Sequence, residues 1–304
     1  MSYLIVLIGF IMLIKGADIF VEGASSVAKR FHIPEMIIGL TIVAMGTSLP
    51  ELSVSFISAL NGQSDMSIAN AIGSNIFNVL MILGVSAFIK TLPIKQSSIS
   101  DIFILIGATA LLLILSYFGL SLIWFDGLIM LCLFAYFIRK MIKESKENNS
   151  ESESEPLSMI KTIIYIVLGA VGIIYGGTLV VNGATSIAKI FGMSDNLIGL
   201  TVVALGTSLP EFVTSVIATK KGKLDIAIGN VIGSNIFNIL FVLGVSSLFN
   251  VLTVSVVTLI DIFFSLFISI ALLCVVCKFK KLGKLSSITF IVLYISYMIF
   301  TIIR

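Results

Sequence analysis

The sequence predicts an all-α integral membrane protein: ten transmembrane helices arranged as two inverted five-helix repeats. Three observations carry that prediction. Apolar residues make up 58% of the 304 and charged residues only 12%, with a mean hydropathy of +1.16, whereas a soluble domain is about a quarter charged. Ten apolar runs reach the roughly 20 residues that a hydrocarbon core about 30 Å thick asks of a helix. The second half of the chain also repeats the first at a constant offset of 160 residues. The scarcity of charge excludes an ordinary cytosolic enzyme, a disordered chain and a nucleic-acid-binding protein.

The runs cover approximately 2–22, 35–60, 66–89, 98–118, 121–142, 158–181, 195–219, 225–249, 253–277 and 285–303. Connections of a few residues leave no room for a soluble domain. The first run lacks a basic n-region and a small-residue cleavage site, so it reads as a retained helix. The stretch KESKENNSESESEPL at 143–157 is acidic and rich in serine, the composition of a short flexible linker. The expected division is therefore a first repeat over 1–143, a linker over 144–157 and a second repeat over 158–304. Cys132, Cys274 and Cys277 fall inside apolar runs and are expected to be inert, buried thiols, without a redox or zinc setting.

Orientation follows from the basic residues. Sixteen of the 19 lie in one set of loops and span ends, from Lys29 and Arg30 to Lys281 and Lys284; only Lys15, Lys189 and Arg304 do not. Positive charge stays on the cytoplasmic side. Both termini are therefore expected outside, with the linker in the cytoplasm of a multi-pass protein of the cell membrane.

The duplication is densest where the polar residues are. IGLTIVAMGTSLPELSVSFISA (38–59) matches IGLTVVALGTSLPEFVTSVIAT (198–219), and IANAIGSNIFNVLMILGVS (68–86) matches IGNVIGSNIFNILFVLGVS (228–246). About 30 of the 49 positions from Ile38 to Ser86 recur identically. Each unit holds an odd number of spans, so the second enters from the opposite face. Such inverted repeats are typical of secondary transporters, whose sites lie near the midplane.

Most acidic residues fall at span ends or in loops. Asp101 and Asp261, a repeat-related pair, read as helix-start residues, and Asp65 and Asp225 as caps in short turns. Asp18 and Glu22 sit at the end of the first span without acidic counterparts in the second repeat. Glu51 and Glu211 differ, because each lies well inside an apolar run with no Lys or Arg at matching depth. A carboxylate there costs roughly 2.5–3.5 kcal/mol on insertion scales. The missing counter-charge is a bound cation or a proton.

The setting of the two glutamates favours a cation. Each ends a GTSLPE motif, at 46–51 and 206–211. Pro50 and Pro210 lack an N–H and push away the carbonyls of Gly46 and Gly206, so the helix must open there. Irregular backbone at membrane depth is tolerated where it lines a site or cavity. Thr47 and Ser48 stand four and three residues before Glu51, on its side of the helix, and Ala44 offers a main-chain carbonyl. Carboxylate, hydroxyl and carbonyl oxygens suit calcium or sodium rather than zinc or copper. On the next span Asn70, Ser74 and Asn78 recur every four residues, as do Asn230, Ser234 and Asn238. Ser74, Asn78, Ser234 and Asn238 are expected in the ligand shell, while Asn70 and Asn230 divide evenly between that shell and interhelical glue. Asn75 and Asn235, off the stripe, are expected to bond between helices. Two glutamates carry −2, which one calcium or two sodium ions neutralise; the empty carrier is thereby penalised from crossing, a reason for exchange rather than leak.

At these motifs the sequence resembles the sodium/calcium exchangers of the cation/calcium antiporter superfamily, in the prokaryotic form without the long calcium-sensing insert. The paired GTSLPE and GSNIFN motifs cover roughly 36–86 and 196–246, and the ten-helix layout extends the match across the chain. The resemblance implies that Glu51 and Glu211, with the backbone oxygens of Thr47 and Thr207, hold calcium. It implies that Ala44, Thr47, Ser48 and Ser74, with Ala204, Thr207, Ser208 and Ser234, complete the sodium sites. It also implies that the first and sixth helices slide across a stationary core, movement for which Gly16, Gly176 and Gly177 provide. Asparagine at both 78 and 238 argues against potassium co-transport, since potassium-dependent members carry an aspartate at the latter position. The GTSLPE spelling favours sodium over protons.

The reading from sequence is thus a non-enzymatic antiporter of sodium and calcium. Its partners are those ions and the lipid bilayer, it needs no cofactor, and the sequence sets no oligomeric state. The nearest alternative keeps the fold and couples calcium to protons or potassium. An intramembrane hydrolase lacks a base, since the only histidine, His32, lies at a helix end. A channel calls for a filter loop or oligomeric symmetry rather than an inverted repeat.

Overall fold

In lipid a backbone finds hydrogen-bond partners only within itself, so apolar runs of this length fold as helices. A computed structural model describes residues 2–147, 155–192 and 204–303. Its helices are α1 (Ser2–Arg30), α2 (Glu35–Thr47), α3 (Leu49–Leu60), α4 (Ser64–Ile89), α5 (Gln96–Gly119), α6 (Trp124–Glu147), α7 (Met159–Ile190), α8 (Ala204–Thr207), α9 (Leu209–Lys220), α10 (Leu224–Phe249), α11 (Val256–Phe279) and α12 (Lys284–Ile303). Among the described residues seven helices are long and apolar enough to cross a membrane, or eight if the bent α2–α3 pair is one span. The sequence reading expects two more. One is α6, a helix of 24 residues whose apolar stretch is bounded closely by Asp126 at one end and Arg139, Lys140 and Lys143 at the other. The other is the run 195–219: its first part lies outside the described residues, as do 148–154 of the linker, and only α8 and α9 represent it.

Two helices outrun their apolar cores. α1 reaches Arg30 and α7 reaches Ile190, beyond the expected ends at 22 and 181. Charge ends a hydropathy window without ending a helix, so Asp18 and Glu22 lie within α1 rather than at its end.

The chain forms two compact units, and each draws on both halves of the sequence: Met1–Pro50 with Glu144–Asn230, and Glu51–Lys143 with Val231–Arg304. In the first unit α1 and α7 run antiparallel along a seam of glycines spaced by seven, at 9, 16 and 23 on one helix and 169, 176 and 183 on the other. A Cβ on Gly16 would stand 2.8 Å from the Ile173 nitrogen, and one on Gly176 2.6 Å from the Leu13 nitrogen. These glycines therefore let two backbones touch, the close packing available to helices that gain nothing from hydrophobic burial against each other in lipid. Around the seam Leu13, Phe20 and Ile173 form a core with Ile38, Val43, Ala218 and Ile226. The extended end of α1 and the start of α2 are held by polar contacts. Lys221 pairs with Asp18 at 2.9 Å and Glu22 at 3.5 Å, Lys223 with Glu35 at 2.8 Å, and Arg30 donates to the Leu157 carbonyl at 2.6 Å.

In the second unit α5 packs on α11 and α12 on α4, where Ser287 Oγ donates to the Gly84 carbonyl at 2.6 Å. Two-residue antiparallel strands staple the helix ends: β1 (Leu92–Pro93) with β4 (Lys281–Leu282), and β2 (Ser121–Leu122) with β3 (Leu252–Thr253). β2 and β4 are entered through left-handed residues, Leu120 and Lys280, which are themselves repeat-related.

Two expectations from sequence are corrected here. Asp101 and Asp261 do not start their helices, since Lys95 and Ser255 hold the N-cap positions. Both acids lie in the second turn and reach across to a neighbouring helix, Asp101 to Lys140 Nζ at 3.1 Å and Asp261 to Tyr297 Oη at 2.9 Å. The three cysteines are exposed rather than buried. A membrane helix is apolar on its outer face as well as its inner one, so an apolar neighbourhood in sequence does not signal burial in protein. Phe118, Ile160 and Leu285 share that outer surface.

Candidate cation site

Proline without an N–H fits the first turn of a helix and breaks one in its interior. Both GTSLPE motifs adopt that solution. Ser48 (φ −86°, ψ 11°) and Ser208 (φ −86°, ψ 2°) leave helical geometry, and Pro50 and Pro210 enter the first turn of α3 and α9. The first break bends the α2–α3 pair by 49°. Each glutamate thereby sits one residue past the proline, in a first turn whose unsatisfied N–H groups favour negative charge. Glu51 and Glu211 are both 0% exposed.

Within the first unit, Ser48 Oγ donates to Glu211 Oε1 at 2.7 Å, which brings the two GTSLPE motifs together. Glu211 Oε2 is buried and receives no hydrogen bond. Asn230 donates through Nδ2 to the Glu211 main-chain carbonyl at 3.3 Å and to Ser215 Oγ at 2.9 Å. Its Oδ1 faces the Thr47 hydroxyl at 3.1 Å. Ala44, Thr47, Ser48, Thr207 and Ser208 are all buried in this unit; the side chain of Ala204 lies outside the described residues.

Within the second unit, Asn70 Nδ2 reaches the Glu51 carbonyl at 3.2 Å and Ser55 Oγ at 2.9 Å, the repeat-mate of the Asn230 arrangement. Asn75 and Asn235 exchange amide bonds to each other's main-chain carbonyls at 3.1 and 3.3 Å, the interhelical role that the sequence predicts. Their Oδ1 atoms accept from Asn238 Nδ2 at 3.1 Å and Asn78 Nδ2 at 3.0 Å. With both amide nitrogens so engaged, Asn78 Oδ1 and Asn238 Oδ1 are turned elsewhere, buried and without a hydrogen-bond partner. Buried oxygens are seldom left in that state without a reason. Ser74 and Ser234 are buried one turn before them, and α4 and α10 pass into a π-helical turn at Asn78 and Asn238 themselves, a distortion frequent at functional sites.

The sequence reading did not single out Ser55 or Ser215, and it left Asn70 and Asn230 undecided. A signal was present: each serine lies four residues after its glutamate and recurs in both repeats. Among the described residues no three His, Cys, Asp or Glu side chains gather. The donors are amide, hydroxyl, carbonyl and single carboxylate oxygens, a hard-cation set.

Fully buried carboxylates at the breaks of apolar helices, among hydroxyl, amide and carbonyl oxygens, point to the class of membrane proteins that carry cations. A family model described as sodium/calcium exchanger protein matches residues 1–142 and 161–303. CaxA of Alkalimonas amylolytica is 43% identical over 252 residues, covering 80% of this chain and 79% of that one. The sodium/calcium exchanger MaX1 of Methanosarcina acetivorans is 32% identical over 289 residues, covering 81% and 83%. A solved structure of the sodium-calcium exchanger NCX_Mj superposes with a TM-score of 0.87 at 33% identity, covering 97% of this chain and 96% of the other. The chain belongs to the sodium/calcium exchanger family. It is a multi-pass cation/calcium antiporter, not an enzyme.

Proposed function

We propose that this antiporter exchanges sodium for calcium by alternating access, with Glu51 and Glu211 as the charged cation ligands. Thr47, Thr207, Ser48, Ser208, Ala44, Ala204, Ser74, Ser234, Asn78 and Asn238 supply the neutral oxygens. The observation that carries this reading is Glu211: a carboxylate shut away from solvent, held on one oxygen by Ser48, with its other oxygen accepting no hydrogen bond. Charge buried that deeply needs a counter-charge, and the hard oxygens around it suit calcium and sodium. In this reading the chain crosses the cell membrane ten times, as inverted repeats over 1–143 and 158–304, with both termini outside and the linker in the cytoplasm. The basic-residue asymmetry supports the orientation, and the offset duplication supports the inversion. The first and sixth helices, α1 and α7, shift to alternate access.

The test is calcium uptake into proteoliposomes loaded with sodium, with potassium, or at a pH gradient. Uptake driven by outward sodium alone is expected. In Glu51→Gln and Glu211→Gln it falls by about two orders of magnitude, as for removal of a buried charged partner. Uptake driven by protons or potassium would overturn the sodium coupling while keeping the site. Full uptake in both variants would overturn the site.

A further inference from the structure

Asn75 and Asn235 lie outside the set of ligands proposed above, yet their side chains decide how two of those ligands are turned. An asparagine amide has donors at one end and an acceptor oxygen at the other, so its orientation follows from what stands at each end. In the second unit Asn75 Nδ2 meets the Asn235 main-chain carbonyl at 3.1 Å, and Asn235 Nδ2 meets the Asn75 main-chain carbonyl at 3.3 Å. A carbonyl can only accept, so both amides are fixed with nitrogen toward the partner backbone. Their oxygens then face the amides of Asn238 and Asn78, at 3.1 and 3.0 Å. Those amides must present nitrogen in turn. Reversed, either one would set two buried acceptors against each other, at the cost of an unmade hydrogen bond. All four side chains are 1% exposed or less, so bulk solvent does not relieve the conflict. The oxygens of Asn78 and Asn238 are left facing away from the crossing, without a hydrogen-bond partner.

We propose that Asn75 and Asn235 are positioning residues for the cation: they turn the amide oxygens of Asn238 and Asn78, rather than the amide nitrogens, toward the ion. The inference rests on the reading of Asn78 and Asn238 as ligands. Its two arms are crossed. Asn75 on α4 orients Asn238 on α10, and Asn235 on α10 orients Asn78 on α4. They are also independent. Each is anchored on main chain, so replacing the Asn75 side chain removes the first arm and leaves the Asn235 amide its own carbonyl acceptor.

The experiment reads half-saturating sodium and calcium concentrations in proteoliposomes for Asn75→Leu, Asn235→Leu, Asn78→Ala, Asn238→Ala and the double variants that combine one leucine with one alanine. Asn75→Leu is expected to raise the same ion requirement as Asn238→Ala, by about three- to ten-fold, the worth of one orienting hydrogen bond. On the Asn238→Ala background, where no amide remains to be turned, it changes ion dependence no further; on the Asn78→Ala background it adds its full effect. Asn235→Leu shows the reverse pattern. A merely structural loss would act alike on both backgrounds. Asn75→Ala and Asn235→Ala repeat the cycles without the bulk of leucine should the first variants fold poorly. Equal effects on both backgrounds, or unchanged ion dependence in the leucine variants, would overturn this inference while leaving Asn78 and Asn238 as ligands. Unchanged ion dependence in Asn78→Ala and Asn238→Ala would instead overturn their reading as ligands, and this inference with it.

Discussion

The α1–α7 pair and the α4–α10 pair both join a helix of the first repeat to its counterpart in the second, but they are joined by different physics. The first pair meets backbone to backbone along its glycine seam, from Ser2 against Gly183 to Gly23 against Tyr165. Only about a third of the apolar window of α1 (33%) is buried. The second pair meets at a crossing of four asparagines whose amide nitrogens all find acceptors within the crossing, and 72% of the apolar stretch of α4 and 94% of that of α10 are buried. Close packing is strong but carries little direction. A satisfied amide network is directional and selects one geometry. In the proposed cycle the first pair suits a body that moves as one piece, and the second suits a fixed core that holds Asn78 and Asn238 in place.

The largest expected effect is on the seam. Gly176→Ala places a methyl against backbone at Leu13 and Gly9, where neither side can yield by a rotamer change. Overpacking of this kind costs up to about 3 kcal/mol; the thermal midpoint in detergent should fall and exchange with it. Gly107→Ala is the control, since a Cβ there meets nothing within 4 Å, and its midpoint should stay level or rise. Equal behaviour of the two variants would end the seam interpretation.

Asn75→Leu comes next. It removes the bond to the Asn235 carbonyl and leaves Asn238 Nδ2 without its acceptor. A stranded buried amide costs about 2 kcal/mol, again read as a lowered thermal midpoint. Because Asn238 loses its anchor, cation affinity should weaken in the same variant. A fall in stability with unchanged ion dependence would confine the crossing to a purely structural role.

The smallest effect belongs to Lys221→Ala. Its partners Asp18 and Glu22 have side chains 45% exposed, and ion pairs so open to solvent contribute about 0.5 kcal/mol. Stability should barely change. A large loss would mean that the charged end of α1, rather than the glycine seam, anchors the first unit.

How much of this was legible beforehand depended on whether the cause was local. A proline with no N–H must break an interior helix wherever it sits, so the openings at Ser48 and Ser208 could be read from GTSLPE alone. The burial of Glu51 and Glu211 followed from their place inside apolar runs, and the interhelical bonding of Asn75 and Asn235 from their place off the stripe of asparagine and serine beside them. Asp101, Asp261 and the cysteines were misjudged for one reason: a residue's partner across the bundle leaves no trace in its own neighbourhood. Nothing near Asp101 announces Lys140, and nothing near Cys132 separates an inner face from an outer one.

The amino-acid sequence by itself determined that this chain is a helical membrane protein, that its halves are duplicates, and which residues carry charge where lipid forbids it. Those properties are set by composition, length and backbone chemistry within a few residues. Only the tertiary structure decided that the compact units cut across the duplicated halves, that the glycines form a packing seam, and that Asn230 stands between Thr47 and Glu211. Those depend on contacts between residues far apart in the chain, such as the 183 positions separating Thr47 from Asn230, which no local pattern encodes.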